Sequence, residues 1–258
     1  MELKEKRIIV SGCAKGMGEA TLNSYVKAGA DVVGMDIDID LGQTVTANAD
    51  KNNEGKASFL RVDIGDPQSV ADAFAEASKL LGGLDALAHP AAIHSLGDPS
   101  TISSEDWDRM FSINVRGTML TNQAAFHLLK KAGGGSIINF GSISGLRPEP
   151  GSAAYSASKG AVHSWTRTAA GAWGKDKVRV NAILPAMATP MYKEANANMS
   201  EDAKTASYWM NHRSIALGEE YGDPESDLGP VMVFFASDAS KFITGQLIPV
   251  DGGQASIR

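Results

Sequence analysis

Short apolar runs rich in β-branched residues alternate along the chain with longer, alanine-rich amphipathic stretches. Runs at 7–11, 31–36, 57–62, 84–88, 136–140, 178–184 and 246–250 are apolar without strict alternation. That pattern predicts strands covered on both faces. Helices are expected between them, over 18–28, 67–81, 104–116, 118–131, 153–173 and 227–236. The 67–81 stretch is the best punctuated, with Asp66 as N-cap, Pro67 in the first turn and Gly82-Gly83 as the stop. Gly29 closes the first helix in the same way. Repeated strand–helix–strand units of this kind predict an α/β fold, a doubly wound, seven-stranded parallel sheet with helices on both faces, in a single domain.

The rhythm fails between residues 186 and 226. This segment carries Met187, Met191, Tyr192, Met199, Tyr208, Trp209, Met210 and Tyr221 and shows no strand pattern. An insertion of that size in a small domain is expected to be a lid or binding loop, the alternative being a pair of amphipathic helices that add to the core.

Composition narrows the class. With 43% hydrophobic residues and 258 positions the chain can fill a large core. Thirty acidic against 24 basic residues leave a charge of −6, which argues against nucleic acid as a partner. Apolar runs are too short to span a membrane. Four of the first six residues are charged, and Cys13 is the one cysteine, so a cytoplasmic protein without disulfides or a cysteine metal site is expected. The five histidines show no metal-ligand spacing.

Candidate chemistry begins directly after the first strand, at Ser11-Gly12-Cys13-Ala14-Lys15-Gly16-Met17-Gly18. A glycine-rich turn from a strand into a helix lets main-chain N–H groups approach a pyrophosphate at the positive helix end. Asp36 closes the second strand, 18 residues beyond Gly18, where a carboxylate accepts hydrogen bonds from ribose hydroxyls and repels a 2′-phosphate. Lys15 pulls the other way, toward a phosphorylated ribose. Asp36 faces the discriminating group, so NAD is the expected cofactor.

A second constellation lies in Tyr155-Ser156-Ala157-Ser158-Lys159. Spacing of four puts phenol and ammonium on one helix face, and a nearby positive charge is expected to lower the tyrosine pKa. Ser142 precedes it by thirteen residues, just past a strand end.

Together these motifs resemble the short-chain dehydrogenase/reductase family, in its branch of about 250 residues, over nearly the whole chain. The resemblance implies a Rossmann-type fold. It implies a catalytic tetrad of Asn114, Ser142, Tyr155 and Lys159, in which Asn114 positions a water. It implies a cofactor site formed by Gly12, Lys15, Gly16, Met17, Gly18, Asp36, Asp63, Ile64, Ala91, Tyr155, Lys159, Pro185, Met187 and Thr189. Residues 1–140 would then serve mainly the cofactor, and residues 141–258, with the lid, the catalysis and substrate. His94, Ser144, Met187, Met191 and Trp209 are expected around the substrate, a hydrophobic secondary alcohol or ketone of alicyclic, terpenoid, steroid or aryl type. A homotetramer is implied as well.

Two departures stand out. His89-Pro90-Ala91-Ala92 replaces the family's Asn-Asn-Ala-Gly, and Pro185-Ala186 replaces Pro-Gly. Alternatives to the NAD-dependent dehydrogenase are an NADPH-dependent 3-oxoacyl-carrier-protein reductase and a catalytically silent NAD-binding regulator.

Overall fold

The apolar runs form β1 (Arg7–Ser11), β2 (Asp31–Asp36), β3 (Lys56–Arg61), β4 (Ala86–His89), β5 (Gly135–Phe140), β6 (Val178–Pro185) and β7 (Leu247–Val250) in a computed structural model. It describes residues 2–51 and 54–255. All neighbouring strands pair parallel, in the order β3-β2-β1-β4-β5-β6-β7. Successive side chains of β1 serve opposite faces. Ile8 and Val10 join one core with Leu22, Tyr25, Val26, Met232 and Phe235, while Ile9 joins the other with Phe74, Leu129 and Val180. This two-sided burial is why the strand sequences do not alternate.

Helices α1 (Gly16–Lys27), α2 (Ile39–Lys51), α3 (Pro67–Leu81), α4 (Ser104–Phe111), α5 (Gly117–Ala132), α6 (Ala153–Trp173), α7 (Pro190–Ala197), α8 (Glu201–Met210) and α9 (Gly229–Ala236) connect or follow the strands. The Asp66 carboxylate accepts the Gln68 N–H at 2.9 Å, and Gly82 ends α3 with φ +72°. The run 104–116 is not one α-helix. A π turn over Ser112–Arg116 joins α4 to α5 and turns Asn114 inward. The expected helix 227–236 likewise splits into a π turn, Pro224–Leu228, and α9. Helix α2 has no counterpart in the periodicity, because Gly42 and the threonines Thr44 and Thr46 disguise it. Gly42 is required there, since a Cβ would stand 2.0 Å from the Phe59 ring. The lid segment contains α7 and α8, so it is helical rather than a loop, but it adds little to the core.

The chain runs outward from β1 to β3 in one direction and from β4 to β7 in the other. The connections therefore part beyond the carboxyl ends of β1 and β4, and the crevice that opens there is where ligands bind in such sheets.

One ion pair fastens the opposite end of the same two strands. Arg7 Nε and Nη2 donate to the two Asp85 carboxylate oxygens at 2.8 and 2.9 Å, and the Arg7 main-chain N–H adds a third bond at 2.8 Å. Burial alone would raise the Asp85 carboxyl, but the bonds from Arg7 outweigh it and hold it below its ordinary value of 3.8. A depressed carboxyl stabilises the fold above that ordinary value and loses its contribution as pH falls through the lowered one. Asp85→Ala is expected to reduce the unfolding free energy at pH 7 by about 1 kcal/mol in urea titrations. The gap should close in acid; one that persists there would mean lost packing rather than lost charge.

Candidate active site

The glycine loop turns at Gly12 and Gly16, with φ +67° and +61°, a region L side chains seldom enter. A Cβ on Gly12 would lie 2.7 Å from the Ala91 Cα, and one on Gly18 would lie 1.8 Å from the Gly12 carbonyl. The loop is thus pressed against the segment after β4. Its helix, α1, has no side-chain cap at Lys15; the Glu19 carboxylate takes the Gly16 N–H, and the other first-turn N–H groups are left for an anion. The Asp36 carboxylate accepts the Ala14 N–H at 3.0 Å and the Asp38 N–H at 3.1 Å, so it braces both the loop and the turn after β2. Its remaining lone pairs are free for ribose hydroxyls. Thr189 stands across the loop, 3.7 Å from a Cβ position on Gly16. These residues fit a dinucleotide: a tight loop, open helix N–H groups and an acidic acceptor at the end of β2.

Other expected cofactor contacts fall nearby with different emphasis. Asp63 accepts the Gly65 N–H at 2.9 Å. The Ile64 side chain is buried against Gly117, so its main chain alone remains for a ligand. Lys15 is exposed, and Met17 packs on the core. Pro185 ends β6, and Met187 pairs through its main chain with Gly222. Cys13 is wholly buried. Burial, with the Asp36 charge beside it, pushes its thiol up to about 12, so it is an inert filler.

Tyr155, Lys159 and His163 recur every fourth residue along α6 and form one stripe. Lys159 Nζ donates to the Phe140 carbonyl at 2.8 Å, at the end of β5, and lies 5.6 Å from the Tyr155 ring centroid. Burial brings the Lys159 ammonium down to about 8. Burial also raises the Tyr155 hydroxyl above its ordinary value, and the Glu149 charge adds to this, while a hydrogen bond with Ser142 opposes it. The expected lowering of Tyr155 by Lys159 is therefore not found; burial dominates, and the ammonium is already engaged by a carbonyl. Ser142 is held from two sides. Its Oγ accepts the Ser144 N–H at 3.1 Å, and its own N–H donates to His163 Nε2 at 3.2 Å. A Cβ on Gly141 or Gly145 would strike that imidazole at 2.5 and 2.7 Å.

Asn114 is buried, and protein groups occupy its side chain. Oδ1 accepts the Ile93 N–H at 2.8 Å, while Nδ2 faces the Ile93 carbonyl at 2.9 Å and Ser158 Oγ at 3.1 Å. It grips the main chain beside His94. His89, in place of the family's asparagine, ties β4 to β1 through Ser11 Oγ at 2.7 Å. Its ring is driven down to about 3 by burial and by the Lys159 charge, so it stays neutral.

Around the reacting end, His94 meets the Tyr155 ring edge-on, with centroids 4.6 Å apart, and its Nε2 lies 3.3 Å from Ser152 Oγ. Ser144 Oγ donates to Glu149 at 3.3 Å. Trp209 is two-thirds exposed and touches Tyr208, so it is not drawn toward Tyr155. The Met191 side chain lies outside the described residues. Tyr221 packs against Tyr192 and His212, and the charges of Glu149 and Arg147 reach it. Ser152, His163 and Tyr221 had no motif to mark them. Among the described residues, no cluster of three potential metal ligands occurs, and no helix is long and apolar enough to cross a membrane.

Comparison with known proteins agrees with this geometry. The family model described as enoyl-(acyl-carrier-protein) reductase matches residues 12–255. Meso-2,3-butanediol dehydrogenase from Serratia marcescens is 34% identical over 254 residues, covering 98% of this chain and 96% of its own. Cyclopentanol dehydrogenase from Comamonas testosteroni is 33% identical, covering 97% of each chain. A short-chain type dehydrogenase/reductase from Mycobacterium ulcerans superposes with a TM-score of 0.90 at 28% identity, covering 99% of this chain and 91% of its own. The chain belongs to the short-chain dehydrogenase/reductase family. It is an oxidoreductase of CH–OH groups that uses a nicotinamide cofactor.

Gly12→Ala tests the loop. A methyl group there meets main chain that cannot swing aside, so dinucleotide affinity should fall by at least about tenfold while the far-ultraviolet circular dichroism is kept. Unchanged affinity by calorimetry would contradict the assignment.

Proposed function

We propose that this chain interconverts a small, neutral secondary alcohol and its ketone, with NAD as the cofactor and Tyr155 as the proton-transfer group. The observation that carries the reading is the gathering of Ser142, Tyr155 and Lys159 beside the carboxyl end of β5, with Ser142 hydrogen-bonded to Tyr155. The relatives named for meso-2,3-butanediol, for 2,5-dichloro-2,5-cyclohexadiene-1,4-diol and for cyclopentanol support a carbinol as the reacting group.

When bound, the nicotinamide supplies the hydride acceptor or donor. Gly12, Gly16 and Gly18 with the α1 N-terminus would hold its pyrophosphate, and Asp36 its adenosine ribose. In the oxidising direction Tyr155, once deprotonated, takes the hydroxyl proton of the substrate. The Ser142 O–H donates to the substrate oxygen, in an orientation set by its bonds to Ser144 and His163. Lys159 places an ammonium 5.6 Å from the tyrosine ring centroid, but burial sets the tyrosine's resting state; with the cofactor bound, the lysine would hold the nicotinamide ribose. Since burial keeps Tyr155 protonated in the free chain, the resting form is primed to donate a proton to a ketone. Oxidation should therefore accelerate as pH rises, and reduction should slow.

Asp36 supports NAD over NADP, because its carboxylate would repel a 2′-phosphate and no basic residue adjoins it on β2. The reductase reading draws on the description of the matching family model. Against it stand Asp36 and the acidic surface, which do not suit NADPH or an acidic carrier. A cytoplasmic home belongs to the same proposal, supported by a lone, buried cysteine. So does a homotetramer, supported by an open, largely apolar groove of about 800 Å³ lined by the partly exposed Phe111, Val115, Met119 and Trp165 between α4, α5 and α6.

Two measurements check the reading. Tyr155→Phe should lower turnover by at least about 100-fold and leave NAD affinity within a few-fold of the parent; near-parent turnover would refute the role. Wild-type kcat/KM should favour NAD over NADP by at least about tenfold, and Asp36→Ala should narrow the ratio. A preference for NADP in the parent would reverse the cofactor assignment.

A further inference from the structure

A carboxylate stands near Tyr155 with little to bond to. Glu149 is half-buried, and among the described residues its side chain takes one hydrogen bond, from Ser144 Oγ at 3.3 Å. It belongs to none of the ion pairs found among those residues. Its charge nevertheless reaches three rings, those of His94, Tyr155 and Tyr221. Arg147 reaches Tyr221 but neither of the other two. Lys159, whose charge also reaches His94, is engaged by the Phe140 carbonyl, so no ion pair among the described residues takes up the Glu149 carboxylate.

The walls around it are fixed rather than loose. The Gly97 N–H donates to the Gly151 carbonyl at 2.9 Å, and the Ala153 N–H donates back to the Gly97 carbonyl at 3.1 Å. The Ser152 N–H donates to the Glu149 carbonyl at 3.0 Å, and Asn114 grips Ile93 at both main-chain groups. These bonds tie the segment carrying His94 to the segment carrying Glu149 and to the first turn of α6. His94 Nε2 faces the buried Ser152 hydroxyl at 3.3 Å, with its ring against Tyr155.

We propose that Glu149 and His94, backed by Ser144 and Ser152, form a polar subsite for a second hydroxyl, so that the substrate is a neutral vicinal diol and the product a hydroxyketone. This rests on the reading of Tyr155 as the group that handles the carbinol proton. A hydroxyl gives Glu149 the donor it lacks and can exchange a second bond with a neutral imidazole. An apolar substituent would cover the carboxylate without a partner, which is costly, and an anionic one would be repelled. The 4.6 Å between the His94 and Tyr155 ring centroids keeps both polar groups within reach of one small molecule. The subsite also gives the pocket a polar side, against the wholly hydrophobic substrate class that the methionines and tryptophan of the lid suggested.

The test is kcat/KM with NAD for two matched pairs, cyclohexanol against cyclohexane-1,2-diol and butan-2-ol against butane-2,3-diol. Wild type, Glu149→Gln, Glu149→Leu and His94→Leu are compared, and the diol-to-monool ratio cancels any loss of folded enzyme. Wild type should favour the diol by at least about tenfold, Glu149→Leu and His94→Leu should erase most of that preference, and Glu149→Gln, which still accepts, should keep part of it. Parity in wild type, or a preference that survives Glu149→Leu, overturns the subsite and leaves the alcohol-oxidation reading standing. If none of the four alcohols turns over with NAD or NADP, that reading falls and the subsite with it. Faster oxidation of 2-aminocyclohexanol than of the diol overturns the hydroxyl assignment in favour of a cation.

Discussion

Lys159 donates its ammonium to the Phe140 carbonyl from a position only 4% exposed, and much of the site follows from that one bond. An ammonium taken out of water needs a strong partner, and the last carbonyl of β5 is the one within reach. Docking there sets the rotation of α6 against the sheet. It brings Tyr155, one turn earlier, toward the end of β5, and His163, one turn later, under the loop that carries Ser142. Burial lowers the lysine to about 8, so it keeps most of its charge at neutral pH. That charge in turn helps hold His89, His94 and His163 neutral. A site with four basic side chains thus contains one cation.

The neutral histidines then act as hydrogen-bonding parts. His163 accepts the Ser142 N–H, which requires an unprotonated Nε2. Burial and the charges of Lys159 and Arg167 take this ring down to about 4, so the requirement is met across the working pH range. His89 joins β4 to β1 just below the glycine loop, where the dinucleotide crevice opens. Asn114 extends the same order outward by fixing Ile93, and through it the segment of His94. The proposed cofactor loop, proton-transfer pair and substrate wall are therefore parts of one bonded framework.

Much of this was legible along the chain because its causes are local. Apolar runs reveal strands buried on both faces, Gly12 and Gly16 mark positive φ, and the spacing of Tyr155 and Lys159 states a helix face. What was not legible depends on partners distant in sequence. Helix α2 needs Phe59 to explain Gly42. The π turn that buries Asn114 shows no break in the periodicity of 104–116. The direction of the Tyr155 shift could not be read from a neighbouring lysine, since it depends on burial and on where the ammonium is engaged. Trp209 is expected in the pocket from its position in the 186–226 segment, yet α8 leaves it in solvent. Glu149 carries no motif, and the Gly97–Ser152 bridge that brings its segment beside His94 joins residues far apart in the chain.

The central claim is that this buried framework removes hydride and proton from one carbinol. The most direct test is oxidation of a secondary alcohol carrying deuterium on that carbon, with initial rates and mass analysis of the reduced nicotinamide. The account predicts a primary isotope effect on kcat/KM and deuterium recovered in the cofactor. Reduced nicotinamide formed without deuterium, or no reduction of the cofactor by any secondary alcohol, would contradict it.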